Sequence, residues 1–234
     1  NVAVGHGALF ENTTANNNTA VGACALGANT TGTLNTAVGS NASLATTTGN
    51  YSTSVGYQAL CAQTTAEENT AIGLNSSMKT TTGACNTSLG TSALCSNTTG
   101  SNNTSLGRNS LLANTTGQQN TAIGSCALLS NTTGTENVAI GFMTMCNTTT
   151  ADSNVAVGNY SMRAATTGNN NTAVGYCSLK ANTTGAENTA IGRQALHANT
   201  TGTGHVAIGC GALCATTTGS SNVAIGLEAM KKNT

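Results

Sequence analysis

One spacing constrains this chain more than any other feature: Asn-(Thr/Val)-(Ala/Ser)-(Val/Ile/Leu)-Gly returns every 17 residues from end to end. Its glycine falls at Gly5, Gly22, Gly39, Gly56, Gly73, Gly90, Gly107, Gly124, Gly141, Gly158, Gly175, Gly192, Gly209 and Gly226, with no insertion or deletion. Numbered from its Asn, the repeat reads N-(T/V)-(A/S)-(V/I/L)-G-x-x-(A/S)-(L/M)-x-x-(N/T)-T-T-(G/A)-x-x. Repeats begin at 1, 18, 35, 52, 69, 86, 103, 120, 137, 154, 171, 188, 205 and 222, so residues 1–234 read as a single repeat array. A fixed period dictates architecture, because each repeat can bury its apolar residues only against its neighbours.

Seventeen residues are too few for a helical repeat, which needs about 33 or more. Helix is also disfavoured locally, since Thr-Thr-Gly recurs and no apolar i, i+3, i+4 pattern persists. Thr19-Ala20-Val21, Thr121-Ala122-Ile123 and Val206-Ala207-Ile208 have strand character, and the glycine after each supplies a corner. Short segments at Ala25-Leu26, Ala127-Leu128 and Ala212-Leu213, and then the Thr-Thr stretch, complete one coil. The sequence therefore predicts an all-β, rod-like parallel β-solenoid of fourteen coils, roughly 65 Å long at ~4.8 Å per coil.

Stacking turns each repeat position into a rank. The fourth is aliphatic throughout, at Val4, Val21, Val38, Val55, Ile72, Leu89, Leu106, Ile123, Ile140, Val157, Val174, Ile191, Ile208 and Ile225, and is the expected core. The ninth is its expected partner, being Leu or Met except at Ser43 and Ser77, where the large residue moves to Leu44 and Met78. The first rank is Asn except at Ser52 and His205, an amide ladder that can bond along the stack. The third is only Ala or Ser, so both faces of the strand are restricted to small or apolar groups. The expected explanation is that the outer face is buried as well, against another copy of the chain.

Charged residues are 6% of the chain, seven basic and seven acidic, which removes the electrostatic footprint of a nucleic-acid binder. No apolar run approaches the ~20 residues of a membrane span. The chain opens on the first position of a repeat and reads as a processed product or a window of a longer polypeptide. Nine cysteines without a C-x-x-C pair fit an oxidising compartment. Candidate disulfides are Cys210 with Cys214, inside one coil, and Cys126 with Cys146, one coil apart. His197 and Cys214 stack in adjacent coils near Cys210, but the set does not make a metal site, and no cofactor is expected. N-x-(S/T) recurs at the twelfth position, at Asn12, Asn29, Asn97, Asn114, Asn131, Asn182 and Asn199, and again at Asn147. Such a rank predicts regular glycan decoration of one edge.

Asn137-Val138-Ala139-Ile140-Gly141, followed by Thr144, resembles the S-V-A-I-G-x-x-S head repeat of trimeric autotransporter adhesins, and Ala207-Ile208-Gly209 and Ala224-Ile225-Gly226 repeat the match. Those heads are left-handed parallel β-rolls in which three chains share one core, so the resemblance implies a left-handed coil and a homotrimer. The chain is also similar to N-T-A-(V/I)-G-x-x-A-L-x-x-N-T-T-G arrays of tail-fibre-like and bacterial surface proteins. Its repeat is longer than the adhesin unit, the extra length lying in the Asn-Thr-Thr segment. The V/I-G-x-x-A/S spacing also resembles hexapeptide helices, including acyltransferases, which use a catalytic His at a subunit cleft. His6, His197 and His205 have no Ser or Cys with an acid around them, so no catalysis is expected.

The function expected is structural: a subunit of an extracellular fibre or stalk at a cell or virion surface, self-associating as a homotrimer or end to end. The alternatives are a receptor- or surface-binding adhesin or tail-fibre shaft that engages glycans or a cell-surface receptor, and an ice-binding solenoid with one outward rank of threonines.

Overall fold

A computed structural model describes residues 1–232; Thr234, last member of the invariant threonine rank at position thirteen, lies outside the described residues. The chain forms two compact blocks, Asn1–Gln118 and Gln119–Thr234. The first contains β1 (Val2–Val4), β2 (Thr19–Val21), β3 (Thr36–Val38), β4 (Thr53–Val55), β5 (Thr70–Ile72), β6 (Thr87–Leu89) and β7 (Thr104–Leu106). The second contains β8 (Thr121–Ile123), β9 (Val138–Ile140), β10 (Val155–Val157), β11 (Thr172–Val174), β12 (Thr189–Ile191), β13 (Val206–Ile208) and β14 (Val223–Ile225). Within each block the strands pair in parallel with sequential neighbours and in exact repeat register, Val4 on Val21 and Ile191 on Ile208. The fold is an all-β parallel solenoid of 17-residue coils, with no helix among the described residues.

Corners follow from the backbone. The glycine after each strand adopts φ between +125° and +137°, a region that L side chains avoid. At Gly192 an added Cβ would lie 2.6 Å from the Gly209 carbonyl of the next coil. Positions seven, nine and seventeen also have positive φ, as at Gln194 (60°), Leu196 (50°) and Glu187 (59°), so left-handed residues turn each coil three further times.

Each coil closes its own interior. The ninth rank is buried as expected, from Leu9 to Leu213, with Met230 of the last coil exposed. Ser43 and Ser77 keep that buried place, while Leu44 and Met78 are only half-buried. The fourth rank, however, is not core. Val4, Val38, Ile72, Leu89, Ile123, Ile140, Ile191 and Ile225 are exposed, and Val21, Val55, Leu106, Val157, Val174 and Ile208 are half-buried. The small third rank points inward instead: Ala139 is 0% exposed and its neighbour Ile140 is 36% exposed. Alternation along the strand supplies the reason. The first-rank Asn side chains lie inside the coil, so the third rank shares their side and the second and fourth must face outward.

The inward Asn side chain clasps two coils. Asn35 Nδ2 donates to Gly49 O at 2.7 Å across its own coil, while Asn35 Oδ1 accepts from Ser52 N at 2.9 Å in the next. Where the rank departs from Asn, the bonding persists. His205 Nε2 meets Gly219 O, and its Nδ1 accepts from Asn222 N at 3.3 Å, which fixes the Nε2–H tautomer. Serines of the third rank also find partners inside: Ser54 with Ser43 at 2.9 Å, Ser88 with Ser77 at 2.8 Å, Ser105 with Ser110 at 2.7 Å.

Candidate functional site

The strand faces are the most regular surface. In each block the second rank presents Thr or Val and the fourth presents Val, Ile or Leu, with no charged residue at either position in any coil. The ranks stand two residues apart along each strand and repeat at ~4.8 Å from strand to strand. Seven strands per block give an uncharged face about 29 Å long. Its continuous rank of aliphatic side chains is the part that marks an interaction site more often than bare surface.

Charge is sorted around the rest of the coil. All seven Lys and Arg residues occupy positions six, ten or eleven, and five of the seven acids (Glu67, Glu68, Glu136, Asp152 and Glu187) occupy positions sixteen or seventeen. The acidic edge has a local cause: a sixteenth-position oxygen accepts from the preceding coil, as Asp152 Oδ1 does from Thr135 N at 2.7 Å and from Thr135 Oγ1 at 3.0 Å.

The two threonine ranks divide their labour. Position thirteen is spent on the stack, Thr30 Oγ1 donating to Thr47 O at 3.1 Å and Thr183 Oγ1 to Thr200 O at 3.0 Å. Position fourteen is exposed in every coil from Thr14 to Thr218.

The glycosylation rank is corrected by burial. Asn29, Asn97, Asn114, Asn131, Asn182 and Asn199 are 0% exposed, and their amides close the coil, as Asn182 Nδ2 does on Gly185 O at 2.8 Å. Only the half-buried Asn12, in the first coil, departs from this, and its Nδ2 donates to Ala15 O at 3.2 Å. An amide nitrogen committed inside the coil is not open to a glycan. Asn147, one position earlier in its repeat, is exposed.

The disulfide pairing is corrected too, because all nine cysteines are free thiols. Cys126 Sγ sits 3.7 Å from Ser125 Oγ instead of on a partner sulfur. Cys146 lies close enough to feel Cys126: burial first, and then Cys126, push its thiol pKa up. Cys210 and Cys214 are likewise both free, and the Cys210 side chain beside Arg193 raises the Arg193 pKa. Of the histidines, His6 is exposed at the first corner, His205 belongs to the buried clasp, and His197 is half-buried. No group of three His, Cys, Asp or Glu able to hold a metal occurs among the described residues. No helix of the described residues is long and apolar enough to cross a membrane.

One cluster is not visible in the repeat pattern. Phe142, Tyr160 and Tyr176, from three consecutive coils, pack edge to face with ring centroids 5.4 and 6.2 Å apart, and Arg163 Cζ lies 5.7 Å from the Tyr160 ring centre. Their positions, six, seven and six of the repeat, are read as unrelated until the coils are stacked. Compared with known proteins, the chain matches no family model and no curated relative.

Proposed function

We propose that the chain is a structural subunit of an extracellular fibre or stalk, at a cell or virion surface, that associates with further copies of itself through the outer face of its strands. The observation that carries this reading is the outward fourth rank: an aliphatic side chain in all fourteen coils, exposed or half-exposed throughout, on a face without charge. A solvated β surface would accept Lys, Glu and Gln at such positions, and none occurs there. A second copy is the occupant favoured, because its own face has the same spacing of ranks, and because position six beside the strand carries Arg108 and Arg193 while positions sixteen and seventeen on its other side carry five acids. The resemblance to adhesin heads makes a trimer the first assembly to test, and the reading assigns the chain no catalytic role.

Sedimentation velocity with negative-stain electron microscopy tests the proposal. Trimers or filaments, with mass well above one chain, are the expected result; a monomer at every concentration overturns it. Discrete trimers with saturable binding to host-cell glycans turn the reading towards an adhesin or tail-fibre shaft.

A second reading rests on the fourteenth rank, whose threonines are exposed in every described coil that has one. An ice-binding solenoid uses such an array, and it expects a monomer with thermal hysteresis in the same preparation.

A further inference from the structure

Position ten of the second block carries Arg163, Lys180 and His197 in three consecutive coils. Backbone bonds hold them in register: Asn147 N donates to Arg163 O, Ala164 N to Lys180 O and Ala181 N to His197 O, at 3.0–3.2 Å. The three bases therefore rise from backbone points ~4.8 Å apart, and like charges at that spacing repel.

Among the described residues no carboxylate pairs with these bases to offset that repulsion; the ion pair present is Lys231 with Glu228 at 2.7 Å. Glu136, Asp152 and Glu187 lie at positions sixteen and seventeen of their coils, away from position ten. Arg163 Nε is buried with no hydrogen-bond partner. Burial, and secondarily Lys180, depress the His197 pKa. A cavity of about 350 Å³ opens among Asn147, Arg163, Ala164, Lys180, Ala181 and His197.

We infer that this cavity binds an oxyanion, a sulfate, phosphate or carboxylate group, held between Arg163 and Lys180. A guanidinium offers a planar fork of donors that matches such a group, and an ammonium adds a point charge beside it. The Tyr160 ring beside the Arg163 guanidinium limits its orientation by a cation–π contact. Asn147 and His197 supply further polar groups at the rim, while Ala164 and Ala181 leave room for the ligand. The oxyanion has two sources, a free inorganic ion or an acidic saccharide; for the second, the neighbouring rings of Tyr160 and Tyr176 offer apolar surface for a sugar. With only two permanent cations the site lacks the run of phosphate contacts on which nucleic-acid affinity rests. The inference is independent of the fibre proposal, since every residue named lies in one chain.

The test is calorimetric titration of the whole chain with sodium sulfate, sodium phosphate and a sulfated disaccharide, at constant ionic strength in chloride. Saturable binding of at least one probe is expected, weakened at least tenfold in Arg163→Gln/Lys180→Gln and unchanged in Lys232→Gln, with all proteins matched by circular dichroism. Single Lys180→Gln, at a half-buried surface position, serves if the double variant fails to fold. A disaccharide bound at least tenfold more tightly than either salt assigns the source as a saccharide; equal or weaker disaccharide binding assigns a free ion. No saturable response above chloride, or one that survives in the variants, overturns the site.

Discussion

Gln63 Nε2 donates to Ser52 Oγ at 3.1 Å inside the fourth coil, and Gln63 Oε1 accepts from Asn69 Nδ2 at 3.0 Å. Ser52 stands where the clasp uses Asn, and Gln63 stands where other coils use Asn or a smaller residue. The longer amide fills the space the short hydroxyl leaves, at 0% exposure. Gln63→Ala should cost about 2–4 kcal/mol, through a cavity and a stranded Ser52 hydroxyl. Ser52→Asn alone overpacks the interior, at about 1–3 kcal/mol, whereas Ser52→Asn/Gln63→Asn restores the common pair and should return near wild type. Denaturant unfolding, read alongside hydrogen exchange in these coils, checks the cycle; additive single effects would remove the coupling.

The strand's parity makes a second, sharper pair. Ala139→Val pushes two methyls into an interior that has no room and should destabilise by about 1–3 kcal/mol. Ile140→Lys, its immediate neighbour, points outward and should change monomer stability by about 0.5 kcal/mol or less. Combined as Ile123→Lys/Ile140→Lys it should also abolish self-association in sedimentation velocity, by placing charge on the proposed interface. A soluble, folded variant that still assembles would show that copies meet elsewhere.

The coil and its register were legible, because a 17-residue period without slippage leaves a chain little else to do. The side of the strand that faces inward is the reverse of what aliphatic size alone suggests, because uniformity at a position reports the interior better than size does. The signal was present: position three never departs from Ala or Ser, while position four ranges over three aliphatics, and a tight interior is the more restrictive neighbour. The Asn rank carried the same message by parity, two residues before Ala139 at Asn137. Correlated exceptions were visible as well. Ser43 and Ser77 at position nine are each followed eleven residues later by a third-rank serine, Ser54 and Ser88; each pair proves to be a buried hydroxyl contact. The sequons misled because Asn-Thr-Thr is what the interior and the threonine ladder need, with or without a glycan. The ladder of Arg163, Lys180 and His197 was invisible in a composition balanced overall, since its meaning lies in stacking.

Backbone conformation gives substitutions of opposite sign in one region. Glu187 is exposed and holds φ 59°, a left-handed state that costs an L residue roughly 1 kcal/mol or more. Glu187→Gly relieves that cost and should stabilise by about 0.5–1 kcal/mol. Gly192 has φ 132° and meets the next coil's carbonyl, so Gly192→Ala should cost about 3 kcal/mol or more. Thermal unfolding of the two variants should move in opposite directions, and a stable Gly192→Ala protein would contradict the close coil stacking at this corner.

The depressed His197 pKa predicts how stability changes with pH. Burial and then Lys180 disfavour the imidazolium in the folded chain, so the folded pKa lies below the ordinary value of about 6.5. Above that value the ring is neutral in both states and the full stability is present. As pH falls below it, the unfolded chain takes the proton first, and stability is lost down to the folded pKa. The ring is partly exposed, so solvent screening keeps the effect small. The groups around it are Lys180 and Arg163 on one side and the Cys214 thiol on the other, all at position ten, and no carboxylate is among them to reverse the sign. Between pH 7 and 5 the wild type should therefore lose more stability than His197→Gln, and Lys180→Gln should lose an intermediate amount because it removes only the second cause. Parallel melting curves for wild type and His197→Gln across that window would show the imidazole to be indifferent to its neighbours.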